Sequence, residues 1–397
     1  MSRFSRKNES RLNVSNLFNE NEDGAPVVSG ISTFSSPHYF VPPSGSTAQR
    51  PSNPSEGMLR FNTDSGHLEY YTGTHWADVI TNNNELGDQN NSNSSGGTGT
   101  RAVACGGAGA PSNKSASISY ITIETLGNSQ DFGDLSQGSI NSSVGAASRT
   151  RGLSQGGSTA PARQSTVEFM TIASTGSAAD YGDLSVARAE AASVSNQTRA
   201  IVAGGSATPG DSDVIDYGTI ASTGTYQDFG NLVDDREAVG GGIANQVRGI
   251  IYGGASPAQN TIEFVTISST GDAQDFGDLQ DTAIRKQGCS NSIRGVIAGG
   301  GPSNATIQFV TIATTGDAIN FGDLTVSRRF SGCAASPTRG VFMGGEVAPT
   351  PTPQNVIDYV TILSTGNAVD FGDINHDGQT NGVVSNAAAF SNGHGGL

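Results

Sequence analysis

Arg339-Gly-Val-Phe-Met-Gly-Gly345, then Val356-Ile-Asp-Tyr-Val-Thr-Ile362, Ser364-Thr-Gly366 and Asp370-Phe-Gly-Asp-Ile374, decides the fold, because this text is written six times. The double-glycine strand also starts at Arg101, Arg151, Arg199, Arg248 and Arg294. Close variants of Asp-Phe-Gly-Asp-Leu follow at 131–135, 180–184, 228–232, 275–279 and 320–324. A period of roughly 45–50 residues is that of one four-stranded propeller blade.

Each unit reads as four strands. Strand 1 precedes the arginine, as in Arg328-Arg-Phe-Ser-Gly-Cys-Ala-Ala335; strand 2 carries the glycine pair; strand 3 ends in Thr-Ile; strand 4 holds Asp-Phe-Gly-Asp. The glycine of Ser364-Thr-Gly366 admits the positive φ that a tight turn between strands 3 and 4 needs. The first unit begins at its own strand 2, near Arg101. Gly382-Val-Val-Ser-Asn386 resembles strand 1 of the other units, so a C-terminal strand is expected to complete the first blade. Closure removes unpaired β edges. The expected fold is all-β: a six-bladed propeller over 101–397, a small β-meander at 50–80, an Asn/Ser/Gly linker at 81–100 and an extended arm at 1–49.

Composition agrees. Of 397 residues 54 are Gly and 14% are charged, which suits a turn-rich β chain. A net charge of −15 lacks the basic face of a nucleic-acid binder, so nucleic acid is not an expected partner. There is no long apolar run, so membrane insertion is not expected. The first residues, Met1-Ser-Arg-Phe-Ser-Arg-Lys, do not resemble a signal peptide. Cys105, Cys289 and Cys333 show no paired spacing and read as small buried thiols without a disulfide.

Most of the recurring chemistry reads as architecture. An arginine repeated at one blade position suits a bond to a neighbouring carbonyl or aspartate, and Tyr120, Phe169, Tyr217, Phe264, Phe309 and Tyr359 suit packing between blades. No catalytic, metal or cofactor site is expected: nucleophile-elbow, P-loop and dinucleotide motifs are absent, and the five histidines lack ligand spacing. Asp373-Ile-Asn-His-Asp377-Gly378 resembles the start of a calcium loop, but Val384 stands where a bidentate acid is required. What varies is the loop after each glycine pair. Asn113, Arg163, Gln164, Asp211, Asp213, Gln259, Asn260, Asn304, Gln354 and Asn355 lie there, on one expected face, with short polar groups suited to hydroxyl-rich ligands.

The unit resembles the Kelch-type propeller repeat, whose second strand also ends in Gly-Gly. It departs at strand 4, where Phe132, Tyr181, Phe229, Phe276, Phe321 and Phe371 stand in place of a tryptophan. The 373–378 stretch is also similar to the Asp-box of six-bladed sialidases, without its spacing or aromatic.

A second resemblance lies in Arg50-Pro51, Pro54, Gly57-Met58-Leu-Arg60-Phe61-Asn62, Glu69-Tyr-Tyr71, Gly73 and Trp76, which look like a module of tailed-bacteriophage fibres. With an acidic, Asn/Gly/Ser-rich propeller attached, this suggests phages of cyanobacteria. The resemblance implies a virion protein, assembled in the host cytoplasm, with tail, neck or baseplate proteins as partners. The arm, through Phe4, Leu12, Leu17 and Phe18, would dock it; the propeller would bind a host-surface glycan or protein; a homo-oligomer is expected. The alternatives are a structural collar, tail or decoration element without a receptor role, and a propeller glycan hydrolase or lyase.

Overall fold

A computed structural model describes residues 42–65, 67–79, 100–109, 114–138, 140–159, 162–237, 241–282, 284–376 and 382–397. Phe4, Leu12, Leu17, Phe18 and Asn113 lie outside the described residues, as does Asp377 of the calcium-like stretch. The chain divides into two compact units, Met1–Asn84 and Glu85–Leu397. Both are all-β.

In the first unit Ser44–Gly45 runs parallel to Leu59–Asn62, which continues antiparallel through His67–Tyr71 to Trp76–Asp78. The pleat is filled unusually. Arg60, Asn62 and Glu69 are buried, whereas Leu59, Phe61 and Tyr70 are exposed on the other face. The Glu69 carboxylate accepts from Arg50 Nε at 3.2 Å, Arg50 Nη2 at 2.5 Å and Asn62 Nδ2 at 3.1 Å, with Arg60 Nε 3.6 Å away. Both guanidiniums sit over Trp76, at 5.8 and 6.0 Å. The Arg…Arg-x-Asn…Glu…Trp pattern is therefore one internal network, which explains why these residue types occur together.

The hydrogen bond from Arg50 is the main cause holding the Glu69 carboxyl below its ordinary value. That contribution is present above the unfolded carboxyl pKa and is lost as pH falls through the lower folded value. Glu69→Ala removes the carboxylate from the buried Arg60 and the partly exposed Arg50 and is expected to cost about 1–3 kcal/mol. Protease cleavage within residues 42–79 at neutral pH measures this; a protection pattern equal to the parent's would contradict it.

The second unit contains six four-stranded antiparallel sheets among its described residues. Sheet I is Ala388–Ser391, Arg101–Cys105, Ser117–Thr122 and Gln130–Asp134. Sheets II to VI begin with Val144–Ala147, Ala192–Ser195, Gly242–Ala244, Gln287–Ser290 and Gly332–Ala335, each followed by its three further strands. The strand completing sheet I is thus Ala388–Ser391 rather than 382–386. Phe390 enters the core against Val103 and Phe132, while the Val384 carbonyl is taken by the Gly345 N–H. Each first strand lies beside the first strands of the preceding and following sheets, with Ala388–Ser391 between Val144–Ala147 and Gly332–Ala335.

Two repeated contacts join the sheets. Arg101 stacks 4.6 Å from Tyr120 and donates to the Ile172 carbonyl of sheet II at 3.0 Å. The series continues with Arg151 to Ile220, Arg199 to Ile267, Arg248 to Ile312 and Arg294 to Ile362, and Arg339 returns to Ile123 of sheet I. The stacked aromatics are half-buried rather than deep between sheets. Five of them meet the strand-4 phenylalanine of their own sheet edge-on, as Tyr120 meets Phe132 at 5.9 Å.

The strand-4 motif makes the second contact. Phe132 enters the core between sheets I and II; Gly133, at φ 146°, pairs with Ile118 beside a bulge, Ser119 pairing with Asp131. A Cβ there would lie 2.6 Å from the Gly176 carbonyl of sheet II. The flanking Asp131 and Asp134 are exposed on an outer edge, where charge discourages pairing with another sheet. The acidity of the chain is thus partly edge protection. All three cysteines are free, and burial pushes the Cys105 and Cys289 thiols up to about 12.

Candidate functional site

The six first strands surround a cavity of about 110 Å³. They are built from small residues, so the strands approach closely while leaving an axial space.

Its floor is a ring in which alanine and serine alternate: Ala147, Ser195, Ala244, Ser290, Ala335 and Ser391. Each serine Oγ donates to the preceding alanine carbonyl, Ser195 to Ala147 at 3.1 Å, Ser290 to Ala244 at 2.8 Å and Ser391 to Ala335 at 2.5 Å. The C-terminal tail lies across this ring. His394 Nε2 donates to the Ala147 carbonyl at 2.9 Å, the Gly396 N–H donates to Nδ1 at 3.1 Å, and the Gly395 N–H reaches the Ser290 carbonyl at 2.7 Å. These partners fix one neutral tautomer. A Cβ at Gly396 would come 1.9 Å from the Ser195 carbonyl, so no side chain fits there.

Burial lowers the His394 pKa to about 4. The unfolded chain takes its proton near 6.5, so stability is greatest above that pH and declines as pH falls toward 4. The expected loss is roughly 3 kcal/mol. His394→Asn should flatten this part of the stability profile, as read by urea unfolding between pH 7 and 4. An unchanged slope would contradict the assignment.

The mouth is built differently. Ser142, Glu190, Arg285, Phe330 and Asn386 occupy one equivalent position before each first strand, at φ 56°, 53°, 59°, 58° and 55°. The sixth position, 239, lies outside the described residues. The Ser142 N–H donates to the Asn386 carbonyl, Glu190 to Ser142, Asn386 to Phe330 and Phe330 to Arg285, at 3.0 to 3.4 Å. Left-handed backbone in non-glycine residues costs on the order of 1–3 kcal/mol each and persists only where its surroundings impose it. All five side chains line the cavity. Arg285 Nη2 meets Glu190 Oε2 at 3.3 Å, and the guanidinium lies 4.7 Å from the Phe330 ring. Arg329 lies on the same ring at 5.5 Å and pairs with Glu346 at 2.8 Å. Deeper in the wall, Ser143 Oγ is buried without a partner.

The described loop residues singled out from sequence, all but Asn113, do not line this cavity. They are half-buried and engaged locally. Arg163 donates to Ser206 Oγ, Gln164 to Thr159 Oγ1, Asn260 to the Leu279 carbonyl, Asn304 to Asp281 and Gln354 to the Thr352 carbonyl; Gln259 accepts from Arg236. The backbone of Asp213 accepts from the Leu232 N–H and that of Asn355 from the Ile374 N–H. Burial, then Glu237 and Asp235, raise the Asp211 pKa. Gln164 alone borders a second, smaller space of about 30 Å³ beside the buried Glu168.

Sequence reading missed the mouth ring. The available signal was one variable, chemically distinct position just before strands rich in Gly, Ala, Ser and Cys. No protein-family model matches this chain, and no curated protein matches it.

Proposed function

We propose that residues 101–397 form a six-bladed, Kelch-like β-propeller in a tailed-phage virion appendage, and that its cavity mouth and adjoining loops face a host-surface glycan or protein. The observation carrying this reading is the mouth itself: five different, left-handed, non-glycine side chains gathered at one end of an axial cavity. Repeated positions that serve only the fold stay alike here, as the six arginines do; this one does not. The cyclic order of the arginine bonds supports the propeller. The fibre-like module, with its Glu69 network intact, supports the virion assignment. Docking through the N-terminal arm and assembly in the host cytoplasm belong to the same proposal, as does oligomerisation through the apolar face of Leu59, Phe61 and Tyr70.

The test has two parts. Deleting residues 1–49 should leave the propeller folded but absent from particles, and an antibody to residues 101–397 should label protruding appendages of intact virions. Incorporation of the truncated protein would remove the docking role; absence of label from every particle would remove the virion assignment.

A second reading, a collar or decoration element without a receptor role, draws on that same apolar face, which suits burial against neighbours. Label confined to a neck or tail ring would favour it. The hydrolase reading has less support: among the described residues lining the cavity, Glu190 is the lone carboxylate, and it is paired with Arg285, whereas glycoside hydrolysis uses two carboxyl groups.

A further inference from the structure

We infer that the axial cavity is a blind pocket for the terminal, uncharged pyranose unit of a glycan; this rests on the receptor-binding reading above. Three observations carry it.

The first is depth. The serine ring and the His394-Gly-Gly396 segment close the floor, so a ligand enters only through the mouth. A chain threaded through is excluded, and an end is admitted. The second is size. About 110 Å³ is less than the roughly 150 Å³ cavity that takes one benzene, so it admits the leading edge of one sugar ring, the rest of which stays at the mouth.

The third is chemistry. Glu190 offers acceptors and Arg285 donors at the same rim, held by a single contact at 3.3 Å that leaves hydrogen-bonding capacity on each. Sugar hydroxyls are both donors and acceptors and satisfy such a pair without net charge. Asn386 and Ser142 add an amide and a hydroxyl, and Phe330 supplies apolar surface for the C–H face of a ring. An anionic sugar fits less well: Arg285 is already neutralised by Glu190, and the chain carries −15 overall.

The experiment uses the full chain, calorimetric titration with glucose, galactose, mannose and N-acetylglucosamine, and glucuronate as the anionic control. Adsorption of the protein to host cells is measured in parallel. The expected result is binding of at least one neutral sugar, competition of that sugar with adsorption, and weaker binding of glucuronate. Glu190→Gln, and Phe330→Gly, which the left-handed backbone tolerates, should each weaken sugar binding roughly tenfold at unchanged melting temperature. Cell adsorption with no neutral sugar binding or competing overturns the inference and leaves the receptor reading standing. Preference for glucuronate, or sugar binding unchanged in both variants, also overturns it. Sugar binding without cell adsorption supports the pocket and removes the receptor role. Neither activity overturns both.

Discussion

A chain ending at residue 387 is expected not to form the 100–397 unit at all. It lacks Ala388–Ser391, so Arg101–Cys105 loses its antiparallel partner and sheet I keeps three strands. It also lacks Phe390, 4% exposed, whose ring lies where a Cβ on Gly152 of sheet II would have to be, 1.9 Å away. The first strands of sheets II and VI lose the neighbour between them, Ser391 no longer bonds Ala335, and the floor formed by His394 to Gly396 is gone. Phe390→Ala alone is expected to cost about 3–5 kcal/mol. The truncation also unpairs the backbone edge of Arg101–Cys105 and removes the packing on sheets II and VI, and should exceed the 5–15 kcal/mol typical of a whole domain's stability. Circular dichroism and size exclusion of the truncated protein would show this as loss of cooperative melting. A transition within a few degrees of the full chain would refute it.

That dependence was only half legible in sequence. The missing first strand of the first unit announced that something must complete it, because an open inner strand exposes unpaired backbone. Its position was misjudged because Val383-Val384 looks more strand-like than Ala388-Ala-Phe-Ser391. Propensity favours β-branched residues, but here closeness of the six inner strands selects small ones, and the Val384 carbonyl has another duty toward Gly345. The strand 2 to 4 pattern and the arginine-to-carbonyl bonds were readable because each repeats the same local chemistry; the packing role of Asp-Phe-Gly-Asp was not, since it is made against the next sheet. The mouth ring was not, since its signal is difference among repeats, and left-handed conformation in Ser, Glu, Arg, Phe and Asn has no residue signature such as glycine. The alternation of alanine and serine in the floor was visible as letters, but its meaning needs the axis around which the letters meet.

The second large effect concerns a buried charge pair whose equivalent differs within the same chain. Arg188 and Asp216 are both fully buried and joined at 2.6 Å; Arg188 also donates to the Val214 carbonyl at 2.6 Å. Asp216 further accepts from the Ser185 N–H at 3.1 Å and its hydroxyl at 2.6 Å. Arg236 with Glu263 and Arg328 with Asp358 repeat the arrangement. One step earlier the acid is Glu168, and Ile140 stands at the position equivalent to Arg188. There the carboxylate accepts from the Ser136 N–H at 2.7 Å, from its hydroxyl at 2.5 Å and from the Gln137 N–H at 3.1 Å. A buried acid at this place thus tolerates an apolar residue opposite, provided the loop donors remain. The guanidinium's other acceptors are the neutral carbonyls of Val202, Gly204 and Val214; burial lowers the Arg188 pKa, and the Asp216 charge is what chiefly opposes it. Asp216→Ala should therefore cost about 3–5 kcal/mol, the usual penalty for stranding one member of a buried pair. Arg188→Ile should cost clearly less, and adding Arg188→Ile to Asp216→Ala should recover part of the loss rather than deepen it. Urea unfolding of the three variants reads the asymmetry. Equal costs for the two single changes, or a double variant weaker than either, would mean that the pair is held by its mutual attraction alone and that the loop hydroxyl contributes nothing.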